Sequence, residues 1–331
     1  MTNLADYLSV FLREYLPSER RASQHTCEAY AYTFQLLVCF AARVSKTQPS
    51  KLTLEYLDVS LVVSFLKHLE NERGNSSRTR NARLAAIKAF FRFLEYRVPS
   101  CLDQARRIRV IPIKKVDEKL VDYLNPKEMQ TLLDMPDIKT ILGIRDRAMI
   151  YLAYAAGLRV SELVGLRLDQ LDLSPAPIIH VYGKGRRERV IPLWKETAAA
   201  LRAWIRVRSK TTIIPELFLT AQEKSMTRSG FEYILSKYVK EAVIKQPSLA
   251  NKRVSPHVLR HTCAMHTLQA THDIRKVSLW LGHADTKSTE IYLRADPTEK
   301  LEALLAGTPL SLHRGNFKAP DKLLALLKSK K

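Results

Sequence analysis

Apolar residues recur every three or four positions through roughly the first hundred residues, which is typical of helices that bury one face. The pattern predicts a helix that Pro17 limits, a second that includes 33–40 and a third that ends at Gly74 in a left-handed cap. A fourth helix follows, with Ser76 or Ser77 as its cap. We therefore expect the N-terminal part of the chain to be helical.

The regular pattern stops after residue 98, where prolines and basic side chains follow one another without an amphipathic period. This change predicts a helical domain over 1–98, an extended basic connection over 99–124 and a second domain over 125–308. The last residues, 309–331, form a tail in which a leucine stripe lies among lysines.

The second domain combines helices with one hairpin. Two short apolar runs, 178–182 and 187–193, flank a Gly-Lys-Gly turn, which is typical of two antiparallel strands. Helices are predicted over 145–156, 198–208, 229–244, 255–269 and 274–281. The whole pattern predicts a mainly α fold with a small antiparallel β-sheet.

The charge balance adds a class of partner to this picture. The chain has 54 Lys and Arg residues against 33 Asp and Glu residues, a formal net charge of +21. Such an excess favours a polyanionic partner, either nucleic acid or an acidic membrane surface. No apolar run approaches the length of a membrane helix, and the N-terminus lacks the features of a secretory signal. We expect a cytoplasmic protein with no membrane partner.

Basic side chains gather on the fourth helix and on the connection after it. On the helix, Arg78, Lys88 and Arg92 lie on one flank of the apolar stripe. A solvated basic face is the alternative, but the net charge favours contact with a DNA backbone. The candidate DNA-binding residues are Arg78, Arg80, Arg83, Lys88, Arg92, Arg106, Arg107, Arg109, Lys114 and Lys115.

Arg159 lies in a corner between two predicted helices. Gly157 ends the first helix, and Ser161 is expected to cap the second. A guanidinium fixed in such a corner suits two phosphate oxygens, and the carboxylate of Glu162 is near enough in sequence to hold it. A purely structural Arg–Glu salt bridge is the alternative.

The Gly-Lys-Gly turn offers a second candidate. Lys184 stands between two glycines at the tip of the predicted hairpin, where an extended lysine is able to enter a groove and donate a proton. An ordinary solvated turn residue is the alternative. The turn lacks the spacing of a phosphate-binding P-loop.

A third candidate is the helix that begins at Ser255 and Pro256. His257 and Arg260 share one face of its first turn, close to the positive end of the helix, which favours an anion site. His257 and His261 also have the spacing of a zinc helix. A metalloprotease helix needs Glu directly after the first His, however, so we expect no metal.

The fourth stretch contains His283, which follows a helix-ending glycine, and Tyr292 nine residues further on. Each is a weak signal alone, since a tyrosine in a helix is usually packed in the core. The order Arg, Lys, His-x-x-Arg, Gly-His, Tyr over 159–292 is a far stronger signal than any member.

This series of motifs resembles the tyrosine recombinases of the phage-integrase family. The resemblance is carried by GLRVSEL, HVYGKGRRERVIP, HVLRH, LGH and STEIYLR, in this order. It covers nearly the whole chain, because residues 76–94 are similar to the core-binding domain of the family. It implies a two-domain architecture with a helical core-binding domain and a mixed α/β catalytic domain.

The resemblance also implies a role for each residue of the series. Tyr292 is the nucleophile, Arg159 and Arg260 clamp the phosphate, Lys184 is the general acid, His257 and His283 complete the pocket, and Glu162 orients Arg159. Two positions depart from the family pattern. Thr271 replaces a glycine that usually makes a left-handed turn, and Arg294 replaces a histidine.

The implied activity is cleavage and rejoining of double-stranded DNA through a 3′-phosphotyrosine, without metal, ATP or another cofactor. The implied assembly is a synaptic tetramer on nucleoid DNA, alone or with sister recombinases, in which the tail packs on a neighbouring protomer. The segments 74–91 and 256–269 are most similar to recombinases of transposable or integrative elements. A catalytically silent DNA-binding regulator and a DNA-relaxing enzyme similar to type IB topoisomerases are the alternatives.

Overall fold

A computed structural model describes residues 3–117, 120–183, 188–208, 213–282 and 287–296. The chain divides into two compact units, Met1–Glu118 and Lys119–Lys331. The mainly α fold with a small antiparallel sheet is confirmed. Within the described ranges, no helix combines the length and apolar character that crossing a membrane requires.

The first unit is entirely helical in its described part. Its helices are α1 (Leu4–Val10), which continues into a π-helix (Phe11–Glu19), α2 (Gln24–Ser45), α3 (Val59–Asn71), α4 (Ser77–Leu94) and α5 (Leu102–Arg109), with short 3₁₀ turns at Pro49–Lys51, Leu54–Tyr56 and Pro99–Cys101. The first predicted helix extends two residues beyond Pro17, because a π-helix accommodates the proline. Phe11 packs against Phe34 and Phe90 in an aromatic core.

The cap predicted for α4 is confirmed, but α3 ends earlier than predicted, at Asn71 with Glu72 as its C-cap, and the left-handed Gly74 follows. Gly74 has a φ of 63°, a left-handed conformation that residues with a side chain rarely adopt. Ser76 Oγ accepts a hydrogen bond from the Thr79 N–H at 3.3 Å and so caps α4. Local sequence therefore sets where α4 begins and places a left-handed residue in the turn after α3.

The expected extended connection from residue 99 onward is wrong for its first part. Residues 102–109 form α5, whose Ala105 and Ile108 are fully buried in the core of the first unit. The next residues lie along α4, because Lys88 Nζ donates to the Ile111 carbonyl at 2.6 Å and Arg80 Nη1 donates to the Pro112 carbonyl at 3.0 Å. A short basic helix with only two buried apolar residues does not show a helical period in its sequence.

The second unit packs helices around a three-stranded antiparallel sheet. Its helices are α6 (Pro126–Leu133), α7 (Ile141–Ala155), α8 (Val160–Val164), α9 (Lys195–Val207), α10 (Arg228–Lys245), α11 (Pro256–Thr271), α12 (Ile274–Leu281) and α13 (Lys287–Ala295). The strands β1 (Leu171–Asp172), β2 (Ile178–Tyr182) and β3 (Glu188–Pro192) lie in the order β1-β2-β3. The hairpin and the five predicted helices are confirmed, whereas β1 was not predicted.

In the turn after α11, where the family pattern has a glycine, a different residue adopts the left-handed conformation. Thr271 ends the helix, and the left-handed residue is His272, with φ 51° and ψ 24°. Histidine tolerates this region better than a β-branched threonine does. The turn is thus built one residue later than a glycine at 271 would place it.

Candidate active site

Arg159 is fixed by its own backbone and by Glu162. It is the N-cap residue of α8, so the prediction that Ser161 caps this helix is wrong. The Arg159 N–H donates to Glu162 Oε2 at 3.0 Å, and Arg159 Nη1 donates to Oε1 at 2.8 Å. Because the third residue of the helix supplies the cap, no Ser or Thr is needed. About a third of the Arg159 side chain is exposed, so it is accessible to a ligand.

Arg260 is held behind this corner by two carbonyl groups. Its Nη1 donates to the Gly157 carbonyl at 2.5 Å and its Nη2 donates to the Leu281 carbonyl at 2.8 Å. The side chain is almost fully buried, and burial together with nearby Arg159 lowers the pKa of Arg260 to about 10. A carbonyl is neutral, so Arg260 keeps its net positive charge at neutral pH.

Gly157 makes this arrangement possible. Its φ is 56°, and a Cβ atom there would lie only 2.7 Å from a methyl carbon of Leu281. The turn after α7 therefore needs glycine for two reasons, its left-handed backbone and the closeness of α12. The same turn directs the Gly157 carbonyl at Arg260.

Tyr292 lies on α13 and is 1% exposed. Its hydroxyl is 2.9 Å from His261 Nδ1, and burial raises the pKa of Tyr292 to about 12 despite the opposing charge of Arg260. His257 stacks edge-on against His261, with ring centres 4.3 Å apart. Burial and the charges of Arg260 and Arg159 lower the pKa of His257. The tyrosine is thus protonated and inaccessible to a ligand in this conformation.

Sequence reasoning missed Arg189 and the contact that His261 makes with Tyr292. Arg189 Nη2 donates to Glu162 Oε2 at 2.8 Å, and its Nη1 lies 3.3 Å from Oε1. A signal for Arg189 was present, since it lies two residues before the buried Ile191 and therefore on the same face of β3. His261 follows His257 by one helical turn, which places it on the same side of α11.

The fold brings together Arg159, Glu162, His257, Arg260 and Tyr292, all of them predicted site residues. Lys184 and His283 lie outside the described residues, and their roles stay predictions. The strands that flank 184–187 are described, and Tyr182 pairs with Glu188 at the turn end of the hairpin. In the described ranges, no group of three or more His, Cys, Asp or Glu side chains is suited to hold a metal ion.

The candidate DNA-binding residues of the first unit fall into two groups. The prediction that Arg80 faces DNA is wrong, because this side chain is buried and donates to the Pro112 carbonyl. The side chains with partners in the unit are Lys88 (Ile111 carbonyl), Arg107 (Asp103), Arg109 (Glu95), Lys114 (Glu70) and Arg83, whose guanidinium lies over the Tyr32 ring. Arg107 and Lys114 are exposed although they are paired, and Arg78, Arg92, Arg106 and Lys115 are exposed too.

A groove of about 450 Å³ lies beside this part of α4. Its basic lining residues are Arg20, Lys88, Arg92 and Arg109, and Tyr15 and Tyr30 are its aromatic ones. Arg20 was not among the predicted residues, because it follows the π-helix and has no periodic neighbours in sequence.

Comparisons with known proteins show the family of the chain. The family model for the phage integrase family matches residues 122–299, and the model for its N-terminal SAM-like domain matches residues 11–97. A protein of Sinorhizobium fredii (strain NBRC 101917 / NGR234) described as an integrase/recombinase is 40% identical over 329 residues, 99% of this chain and 98% of the relative. A tyrosine recombinase XerC from Pelotomaculum thermopropionicum is 35% identical over 84% of this chain and 90% of its own.

Solved structures show the same fold. The Tn1549 transposon integrase in complex with a circular intermediate DNA matches with a TM-score of 0.68 at 17% identity, over 92% of this chain and 99% of the integrase chain. The XerH site-specific recombinase in a post-cleavage complex matches with a TM-score of 0.64 at 22% identity, over 89% of this chain and 83% of its own. The chain belongs to the phage integrase family of tyrosine recombinases, enzymes that cleave and rejoin DNA.

Proposed function

We propose that this chain is a site-specific recombinase in which Tyr292 attacks a DNA phosphodiester. The attack forms a bond between the tyrosine oxygen and phosphorus and breaks the bond to the 5′ oxygen, which leaves as a hydroxyl. The resulting 3′-phosphotyrosine conserves the energy of the bond, so a 5′ hydroxyl of another strand is able to reverse the step without ATP. The observation that carries the proposal is the grouping of Tyr292, Arg159, Arg260 and His257 in one site.

Electrostatic stabilisation accounts for the two clamp arginines. Negative charge increases on the non-bridging oxygens as the tyrosine attacks, and fixed guanidinium groups stabilise that charge without reorganising. Arg260 suits this role because neutral carbonyls hold it in place, and Arg159 because part of it is exposed. Lys184 at the hairpin turn is the proposed donor of the proton to the leaving 5′ oxygen.

The described position of Tyr292 is a resting position. A side chain that is 1% exposed cannot reach a phosphate until α13 shifts. The His261 contact stabilises the resting position, because a buried phenol without a hydrogen-bond partner costs about 1–3 kcal/mol. DNA binding must therefore supply the free energy that moves the tyrosine into the site.

The test of the nucleophile is a trapped adduct. A nicked suicide substrate built from the DNA that flanks the gene loses the leaving strand after cleavage, so that a covalent complex accumulates. Tyr292→Phe should bind this DNA and form no denaturant-resistant adduct. The matched control is Tyr233→Phe, at an exposed tyrosine of the same unit, which should form the adduct at the wild-type rate. An adduct in Tyr292→Phe would contradict the assignment.

The same experiment separates the alternatives. A silent DNA-binding regulator would give no adduct with any substrate. A relaxing enzyme similar to type IB topoisomerases would relax a plasmid that lacks every specific site. We expect an adduct at a defined position and no relaxation of such a plasmid.

We further propose that the recombination serves integration, excision or transposition of a mobile element. The 40% identical relative described as an integrase/recombinase supports this role, as does the likeness to the Tn1549 transposon integrase. The XerC relative at 35% identity supports resolution of chromosome dimers as the second candidate. Recombination between the ends of a surrounding element, rather than at a single chromosomal site, would distinguish the two.

Assembly on DNA follows from the same chemistry, because exchange of two duplexes needs four strand cleavages. We propose a synaptic tetramer, alone or with sister recombinases, in which residues 309–331 pack on a neighbouring protomer. Deletion from Pro320 onward should weaken synapsis in a two-site bridging assay and leave single-site binding unchanged. Recombination at the wild-type rate after this deletion would refute the role of the tail.

A further inference from the structure

Arg189 and Arg159 share a single carboxylate in the catalytic unit. The four acceptor positions of Glu162 are occupied by Arg159 N, Arg159 Nη1 and the two terminal nitrogens of Arg189, at 2.8–3.3 Å. The Glu162 side chain is 5% exposed and that of Arg189 is 10% exposed, so water screens this trio weakly. The Arg159–Glu162 pair therefore cannot be understood without Arg189.

The charges of this group match the proposed reaction. Without Arg189, Glu162 would cancel the charge of Arg159, and Arg260 would be the single uncompensated guanidinium of the remaining three residues. With Arg189 present, three guanidiniums face one carboxylate and the group has a net charge of about +2. A phosphodiester carries one negative charge and develops a second as the tyrosine attacks.

The remaining contacts of the Arg189 side chain do not favour a role in the stability of the fold alone. Its Nε is buried and has no hydrogen-bond partner among the described residues, which is an unfavourable way to bury a guanidinium. Its Cδ lies 2.9 Å from the place where a Cβ at Gly282 would stand, so another residue at this position would displace the Arg189 side chain. Buried ion pairs in general contribute little net stability.

We propose that Arg189 is a positioning residue of the recombination site, which offsets the charge of Glu162 and leaves Arg159 available to the scissile phosphate. Glu162 then aims Arg159 through its hydrogen bonds without cancelling its charge. This inference rests on the proposed recombinase function. Arg189 acts through Glu162 and Arg159 and does not touch DNA.

The test is a rescue experiment with the full-length chain and the suicide substrate. Arg189→Met should slow single-turnover cleavage by about 10-fold to 100-fold, while affinity for the duplex stays within about twofold. The double variant Glu162→Gln/Arg189→Met should recover part of the lost rate, because the amide keeps one of the two acceptor atoms for Arg159 and removes the negative charge. Arg189→Lys, which keeps the charge, should be intermediate.

A purely structural Arg189 gives the opposite pattern. The double variant would then cleave as slowly as Arg189→Met or more slowly, because it changes both members of the ion pair that joins β3 to α8. This result would overturn the inference. Wild-type cleavage by Arg189→Met would overturn it too. Both results require that the wild-type chain forms the adduct; a wild-type chain that binds DNA without any adduct removes the proposed function and this inference with it.

Discussion

Basic side chains of both units donate to main-chain carbonyls, but the surroundings of those contacts differ. In the catalytic unit, Arg260 is held by neutral carbonyls and Arg159 by a carboxylate that a second arginine shares, so positive charge remains for a ligand. Along α4 of the first unit, Arg80 and Lys88 hold the chain segment that follows α5. Net charge alone does not distinguish these two uses. Main-chain carbonyls accept hydrogen bonds from cations in both units, and only the packing shows which segment each cation holds.

The largest effect is expected at Arg260. Arg260→Lys keeps the charge and loses the fork that donates to two carbonyls at once, so cleavage of the suicide substrate should fall by about 10²–10³-fold. Single-turnover adduct formation measures the rate, and a gel-shift assay on the same duplex controls for binding. A rate within threefold of wild type would show that the charge alone is sufficient.

A structural effect is expected at Arg80. Arg80→Met removes the hydrogen bond to the Pro112 carbonyl from a buried position and should lower the free energy of unfolding of the first unit by about 2 kcal/mol. Chemical denaturation followed by peptide-resolved hydrogen exchange measures it. Arg78→Met, at an exposed position of the same helix, is the matched control and should change stability by less than about 0.5 kcal/mol. Equal effects would contradict the assigned difference.

Acid should affect the catalytic unit before the first unit. Burial lowers the pKa of His257 and of His266, and the contacts of Glu162 with Arg189 and Arg159 keep the pKa of this carboxyl below its usual range although burial opposes them. A group with a lowered pKa in the folded chain takes up a proton more readily in the unfolded chain. Its contribution to the free energy of unfolding is therefore present above the unfolded pKa and is lost as pH falls. The loss should begin near pH 6.5 for the histidines and continue below about pH 4.5 for the carboxyl.

Hydrogen exchange of the full chain at pH 7 and pH 5, corrected for intrinsic rates, measures this difference. Amides of α8 and α11 should lose protection. Amides of α4 should change little, because the carboxyl with a lowered pKa in the described part of the first unit is that of Glu72, which is exposed and lies outside α4. His266→Phe should reduce the loss in the catalytic unit. Parallel loss in both units would contradict the prediction.

The smallest effect is expected at Arg92, which is exposed on α4 and lines the basic groove. Arg92→Gln should reduce the slope of log affinity against log salt by about 1 on any duplex, with stability unchanged. The matched comparison is Arg80→Met, which should leave this slope unchanged because its side chain faces the protein. An unchanged slope in Arg92→Gln would exclude this flank of α4 from the DNA interface.

Local interactions explain which features were predicted from sequence. The cap at Ser76, the left-handed Gly74 and the β2–β3 hairpin each depend on residues within a few positions of one another, so their patterns are visible in the sequence. The motif series likewise named five residues that the fold brings into one site. The prediction of an extended connection is wrong at α5, because its two buried apolar residues are too few to show a helical period in the sequence.

Sequence alone determined the helical class, the hairpin and the types of residue at the candidate active site, because caps, turns and periodic faces are set by neighbours in the chain. Only the tertiary structure decided that Arg189 joins Glu162 across 27 residues, that Arg80 turns inward and that Tyr292 is buried against His261. These are contacts between distant segments, and whether a charge is paired or exposed depends on which segments the packed core brings together.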